Sequence, residues 1–213
     1  MKYVIMCGGK YPTQWEKPKQ LFEVNGETLL DRTIRLLEEN GAEEIYISAT
    51  DPIFDGHGVP RIEHENNFVA LEEDTQGYWV DAFYPNFPDD TEVAFLFGDV
   101  WFTKEAIQKI MNCEKKGNVL FGTGIARNKL HKDWGEPFAY VVRDYKAFMD
   151  GVEKVKRWHD EGKFKRHPIV WELYRVLNGL DPNVQQILDK NYECIDDGTM
   201  DADSPEKAEG IGK

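Results

Sequence analysis

Apolar positions recur along this chain in two alternating rhythms. Short continuous runs at residues 3–6, 45–48, 92–97, 119–122 and 138–142 have the length expected of buried strands. Between several of these runs the apolar spacing changes to the helical period. The clearest case follows Thr28, where Leu29, Leu30, Thr33, Ile34, Leu36 and Leu37 fall on one helical face. Asp31 completes a T-x-x-D cap at its start and Asn40-Gly41 stops it. Helices are also expected from Thr103 to about residue 113 and over residues 77–84, 145–159 and 169–177. Residues 21–24 read as extended ahead of an Asn25-Gly26 turn, residues 192–195 as a strand, and a small helix follows residues 201–205.

Strand, helix and strand within the first 48 residues imply a right-handed crossover and a parallel pair. The expected fold is therefore α/β, a Rossmann-like open and mostly parallel sheet flanked by helices. No repeat or low-complexity linker interrupts the 213 residues, so one domain over 1–213 is expected, with a small distal α+β elaboration over about 127–195.

Composition narrows the chemistry. A 41% hydrophobic and 13% aromatic chain of this length can bury one sizeable core. A formal charge of −13 repels phosphate at long range, which argues against nucleic acid and anionic membrane as partners. Any anion must then be held locally. Cys7, Cys113 and Cys194 lie far apart with no CxxC pattern, so reduced thiols in a cytoplasmic protein are expected. No apolar stretch approaches the roughly 18 to 20 residues that span a bilayer.

Against this acidic background the stretch VIMCGGKYPTQWEKPKQLFEVNG concentrates basic residues. A loop leaving the first parallel strand sits in the crevice where open α/β sheets bind ligands. Gly8 and Gly9 let the backbone approach a ligand and aim N–H groups at it, and Lys10, Lys17 and Lys19 add charge. Surface placement is the plain alternative for Lys10 and Lys17. Lys19 is more constrained, between Pro18 and the apolar Leu21-Phe22. The loop is neither G-x-G-x-x-G nor a P-loop.

Two acidic motifs complete the constellation. Asp99 ends the run Phe95-Leu96-Phe97-Gly98, where a carboxylate needs a cation or donors, and Mg²⁺ bridging phosphates would satisfy it. Asp201 and Asp203, in Met200-Asp201-Ala202-Asp203-Ser204-Pro205, offer a second carboxylate, or else lie beside a helix cap. The histidines His57, His64, His131, His159 and His167 have no metal-site spacing and read as structural or surface residues. Trp134 with Tyr140 or Trp171 could cage a quaternary ammonium; core packing is the alternative for these rings.

In this order of motifs, with F-E-V-N-G-E-T-L-L-D-R-T after the loop, the sequence resembles the nucleotidyltransferases of the glycosyltransferase-A-like superfamily. That group includes sugar-phosphate nucleotidyltransferases and cytidylyltransferases acting on phosphocholine and alditol phosphates. The resemblance covers residues 2–50, 92–103 and 199–209. It implies that Gly8 and Gly9 contact the nucleotide, Lys19 the α-phosphate and Asp99 a Mg²⁺ ion, with Gly77 near the base and Asp203 or Asp201 as second ligand. It implies an NTP and a phosphorylated acceptor as partners, in nucleotide-sugar-type biosynthesis, for a monomer or homodimer. One departure stands out: the family's usual GGxGTR arginine is absent, and a lysine cannot replace its bidentate phosphate contact. A glycosyltransferase with a nucleotide-sugar donor would carry a D-x-D motif where this chain reads Asp99-Val100-Trp101. A non-catalytic nucleotide-binding module is the other alternative.

Overall fold

The computed structural model describes residues 1–8, 15–69, 75–124, 135–202, 204, 208, 210 and 211. The first strand, β1 (Lys2–Met6), is followed by a 3₁₀ turn at Lys19–Leu21 and a small hairpin of β2 (Glu23–Val24) and β3 (Glu27–Thr28). Asn25 and Gly26, both at positive φ, form its turn. Helix α1 (Leu29–Glu39) begins as its sequence predicts: the Thr28 hydroxyl accepts the Asp31 N–H at 3.0 Å, and all six periodic residues are buried. Removing such a cap typically costs about 1 kcal/mol. Then come β4 (Ile45–Ser48), β5 (Arg61–Ile62), β6 (Val93–Phe97), β7 (Val100–Trp101), helix α2 (Lys104–Met111) and β8 (Val119–Gly122). The chain continues with β9 (Pro137–Val142), α3 (Tyr145–Asp160), α4 (Val170–Leu177), β10 (Tyr192–Cys194) and β11 (Met200–Asp201).

Among the described residues seven strands form one sheet in the order β10-β8-β9-β6-β1-β4-β5. β1 is parallel to both β4 and β6, while β9 runs antiparallel between β6 and β8. Every residue of β6 is buried, which is why Val93–Phe97 reads as an unbroken apolar run: the strand is central and covered on both faces. Pro137 opens β9, the position in a strand where its missing N–H is tolerated. No described helix is long and apolar enough to cross a membrane.

Two expectations change. Residues 77–84 form only a four-residue 3₁₀ turn, Trp79–Ala82. Within the stretch expected to elaborate the sheet, residues 135–195 supply β9 to its middle, β10 to its edge, and α3 and α4 to the same core. Tyr140, for which an acceptor cage and core packing were both open, is a core residue and not a cage: it lies fully buried on β9 against Phe83 and Phe148, and Trp171 is buried as well. The helix expected after residue 205 falls largely outside the described residues.

The Tyr140 hydroxyl is buried without a hydrogen-bond partner, and burial raises its pKa so that it stays neutral. An orphaned buried hydroxyl is a net cost. Tyr140→Phe is therefore expected to stabilise the protein by about 1 kcal/mol in urea unfolding; a loss of stability would show that the hydroxyl is satisfied in solution.

Candidate active site at the carboxyl edge of the sheet

β1, β4 and β6 all end at the same edge, and the order of the strands reverses between β1 and β6. A crevice must open there, because the connections leaving the two central strands diverge. It encloses about 340 Å³. Met6 and Gly8 line it after β1, Phe97 and Asp99 after β6, and Asn66 and Phe68 after β5. Trp79, Pro137, Ile169 and Val170 form the wall on the β9 and α4 side.

Asp99 lies two residues past β6. Between them Gly98 donates its N–H to the Met6 carbonyl at 3.1 Å, closing the ends of the two central strands together. A β-carbon on Gly98 would lie 2.6 Å from that carbonyl and 2.8 Å from Cys7 Sγ, so only glycine fits. The Asp99 carboxylate meets Lys19, whose Nζ stands 3.3 Å from Oδ2. The lysine side chain is only 16% exposed. It reaches the centre from the 3₁₀ turn that Pro18 starts and the buried Leu21 anchors. Burial, and after it the Asp99 charge, push the Cys7 thiol well above its ordinary pKa. Cys7 is thus a neutral packing group rather than a ligand.

The second acidic motif arrives from the end of the chain. β11 pairs antiparallel with β7, setting Asp201 opposite Val100, and the Ala202 N–H donates to the Asp99 carbonyl at 2.9 Å. Asp201 and Asp99 both line the crevice. The pairing is secured nearby, where Thr103 caps α2 and bonds to Thr199 and Asp197. Trp15, Val24, Leu29, Trp101 and Ala202 form a separate small core that joins the end of the chain to the segment before Lys19.

The fate of the other candidate residues is mixed. Gly8 lines the crevice, and its β-carbon position has only ordinary contacts at 3.6 Å. Lys17 is exposed and pairs with Glu23 at 3.7 Å, so it stands on the surface. Gly77 is not among the lining residues. It has a φ of 73° and its β-carbon would come within 2.6 Å of the Asn67 carbonyl, so it holds the turn beside Asn66 and Phe68. Gly9, Lys10, Trp134 and Asp203 lie outside the described residues. His64 bonds Ser48 at 2.8 Å in the interior and burial lowers its pKa, a structural role as expected.

Several lining residues were not anticipated, Asn66 and Trp79 among them. Asn66 is buried, its Oδ1 accepts the Phe68 N–H at 3.0 Å, and its amide nitrogen is thereby the end oriented to donate. Trp79 and Glu136 line the crevice as well. No periodicity marks them, since Asn66 and Glu136 sit in irregular chain and Trp79 in a short turn.

Residues 3–166 match the MobA-like NTP transferase domain family. A bifunctional IPC transferase and DIPP synthase from Thermococcus kodakarensis is 23% identical over 219 residues, covering 96% of this chain and 48% of the relative. The chain thus spans about half the length of that curated relative. A solved structure described as a glucose-1-phosphate thymidylyltransferase from Bacillus anthracis, in complex with a sucrose, superposes with a TM-score of 0.62 at 14% identity. The superposition covers 99% of this chain and 94% of that one, a likeness of fold.

The two glycines of the crevice separate packing from function. Gly98→Ala is expected to cost about 1–3 kcal/mol of stability by overpacking and to displace Asp99. Gly8→Ala should leave the unfolding midpoint unchanged while weakening nucleotide binding. Denaturation and nucleotide titration on both variants check the pair; equal stability of the two would contradict the geometry.

Proposed function

The chain belongs to the MobA-like NTP transferase family, and from that premise we propose that it transfers a nucleotidyl group from an NTP to a phosphorylated small-molecule acceptor, releasing pyrophosphate. The observation that carries this reading is the Lys19–Asp99 pair at the mouth of the two central strands. Strand order divides the crevice around it. Gly8 and Asn66 lie on the β1, β4 and β5 side, fitting a nucleotide, and Glu136, Pro137, Ile169 and Val170 lie on the β9 and α4 side, fitting an acceptor.

The acceptor's phosphate oxygen attacks the α-phosphorus in line, a new P–O bond forms, and the bond to the β-phosphate oxygen breaks. A phosphate monoester has a second pKa near 6, so it attacks as a dianion and no side-chain base is required. Positioning and charge neutralisation then supply the catalysis. Lys19, held in place through Asp99, can turn its ammonium to the α-phosphoryl oxygens.

Mg²⁺ is the cofactor the chemistry asks for. Asp99 and Asp201 are hard oxygen donors lining one crevice, and this suits an ion that takes one or two carboxylates with phosphate oxygens and water. Among the described residues no group of three His, Cys, Asp or Glu side chains is arranged to hold a metal. Asp203 is the alternative second ligand. Bound there, the ion would neutralise triphosphate charge.

A glycosyltransferase reading is disfavoured because Trp101, at the third position of Asp99-Val100-Trp101, is buried under Arg32, whose guanidinium carbon lies 3.8 Å from the ring centroid. Pyrophosphate release with a panel of NTPs and phosphorylated acceptors tests the proposal. Lys19→Ala and Asp99→Asn should each lower turnover by roughly 10²–10³-fold, and EDTA should abolish it. Undiminished turnover in either variant would refute the assignment.

A further inference from the structure

The described lining of the crevice includes three carboxylates, Asp99, Glu136 and Asp201, and neither a lysine nor an arginine. A phosphate monoester arriving as a dianion is repelled by this lining and by the chain's formal charge of −13. One stretch of the surface has the opposite sign. Residues 154–167 read KVKRWHDEGKFKRH, with six lysines and arginines against two acids.

The fold carries that stretch to the rim of the crevice. Because β9 runs antiparallel to β6, it starts at the carboxyl edge with Pro137 and ends at the opposite edge, where α3 begins. The 16 residues of α3 span about 24 Å, so the helix returns its last turn to the carboxyl edge. There Tyr78 donates its hydroxyl to Asp160 at 2.8 Å, and the His159 and His167 rings stand 4.8 Å apart. The His167 ring lies 5.2 Å from that of Phe68, a lining residue, and Ile169 and Val170 of the crevice wall follow in the chain.

Arg157, Lys163, Lys165 and Arg166 are exposed. The acids facing the stretch engage only part of it: Asp81 and Glu153 pair with Lys156, Glu161 with Lys163, and Glu172 with Arg166. Arg157 and Lys165 have no acidic partner among the described residues. Lys154 and Lys163 both lie over the Trp158 ring, 4.5 and 5.0 Å from its centroid, which keeps their ammonium groups at the surface. A basic last turn alone would answer the dipole of α3. The charge continues through Lys163, Lys165 and Arg166, beyond the helix, where that dipole asks for nothing.

Resting on the nucleotidyl-transfer reading, we propose that residues 154–167 form a landing surface for the phosphorylated acceptor. The surface keeps the potential at the rim positive, gathers the dianion there and delivers it along the α4 wall into the crevice. A positive rim raises both the local concentration and the encounter rate of an anion, and both enter kcat/KM. The surface reads charge rather than shape, so it serves phosphate monoesters of any head group. The NTP is set apart from it, over β1 and β4 on the far side of the crevice. Its polyphosphate is left to Lys19 and the metal.

Charge reversal at the rim, Arg157→Glu/Lys163→Glu/Lys165→Glu, tests the surface, with the triple glutamine variant at the same positions as a milder version. Lys116→Glu/Lys146→Glu/Lys190→Glu is the control: it reverses as many exposed charges at the opposite edge, where β8, α3 and β10 begin. Pyrophosphate release with glucose 1-phosphate and with phosphocholine reads turnover, and calorimetric titration with the same two esters reads binding without reaction. At about 10 mM ionic strength, where the screening length is about 30 Å, the rim variant should lose roughly tenfold in kcat/KM for the acceptor and the glutamine variant roughly threefold. The control should lose far less, and kcat and the KM for NTP should hold in all three. At about 1 M salt the screening length falls to about 3 Å and the differences should vanish. Equal losses in the rim variant and the control, a loss that survives high salt, or a loss that falls on the NTP would each overturn the inference and leave nucleotidyl transfer standing. No pyrophosphate from any NTP and acceptor, with ester affinity that the rim variant loses only at low salt, would uphold the surface and sink the transfer reading. Neither turnover nor ester binding by the unmodified protein would overturn both.

Discussion

A carboxylate at the end of a fully buried strand must find a partner, and in this protein that partner is Lys19. Asp99 follows the five buried residues of β6, at an edge where the sheet changes direction. The meeting of its carboxylate with an ammonium 80 residues earlier ties the loop after β1 to the turn after β6. Gly98 makes the approach possible, since any side chain there would strike the Met6 carbonyl. From the other direction β11 clamps onto β7 and brings Asp201 to the same crevice. Three distant stretches of sequence thus converge because one sheet edge collects them.

Electrostatics gives this convergence a direction. The chain is acidic overall and its crevice is lined by carboxylates, so a polyphosphate cannot be held by long-range attraction. On the proposed reading it would be held by backbone donors near Gly8, by Lys19 and by a divalent ion that turns carboxylates from repulsive to attractive. The missing loop arginine fits this picture, in which the metal carries more of the neutralisation. The strand order then separates the ends of the site. Whatever lies over β1 and β4 meets glycine backbone and the Asn66 amide, and whatever lies over β9 meets aromatic and aliphatic walls with one acid.

Much of this was legible in the sequence where local physics decides the outcome. The α1 helix follows from its apolar period and its Thr28 cap, and β6 from a run too apolar to face water on either side. Lys19 was distinguishable from Lys17 because Pro18 and Leu21 restrict it, and the structure separates the two in that way. What was not legible depends on partners far along the chain. The run Phe138-Ala139-Tyr140-Val141-Val142 does not state its own direction, so its antiparallel insertion between β6 and β8 was hidden. Tyr140 resembled a ligand-facing aromatic and is a core residue for the same reason. Asn66, Trp79 and Glu136 occupy irregular segments whose side chains become neighbours only when the edge is assembled. Gly77, which the resemblance sets near the base, has a positive φ and stands against the Asn67 backbone, outside the described lining of the crevice.

The central claim is that Asp99 and Lys19 form one charged centre with a divalent ion and the α-phosphate. Its most direct test is an anomalous-scattering map from crystals grown with Mn²⁺ and a non-hydrolysable NTP analogue. The account predicts a metal peak within coordination distance of the Asp99 carboxylate and of a phosphate oxygen, with Lys19 Nζ turned to the α-phosphoryl group and a second ligand from Asp201 or Asp203. A nucleotide bound elsewhere, or a metal peak that leaves Asp99 and Lys19 paired only with each other, would contradict it.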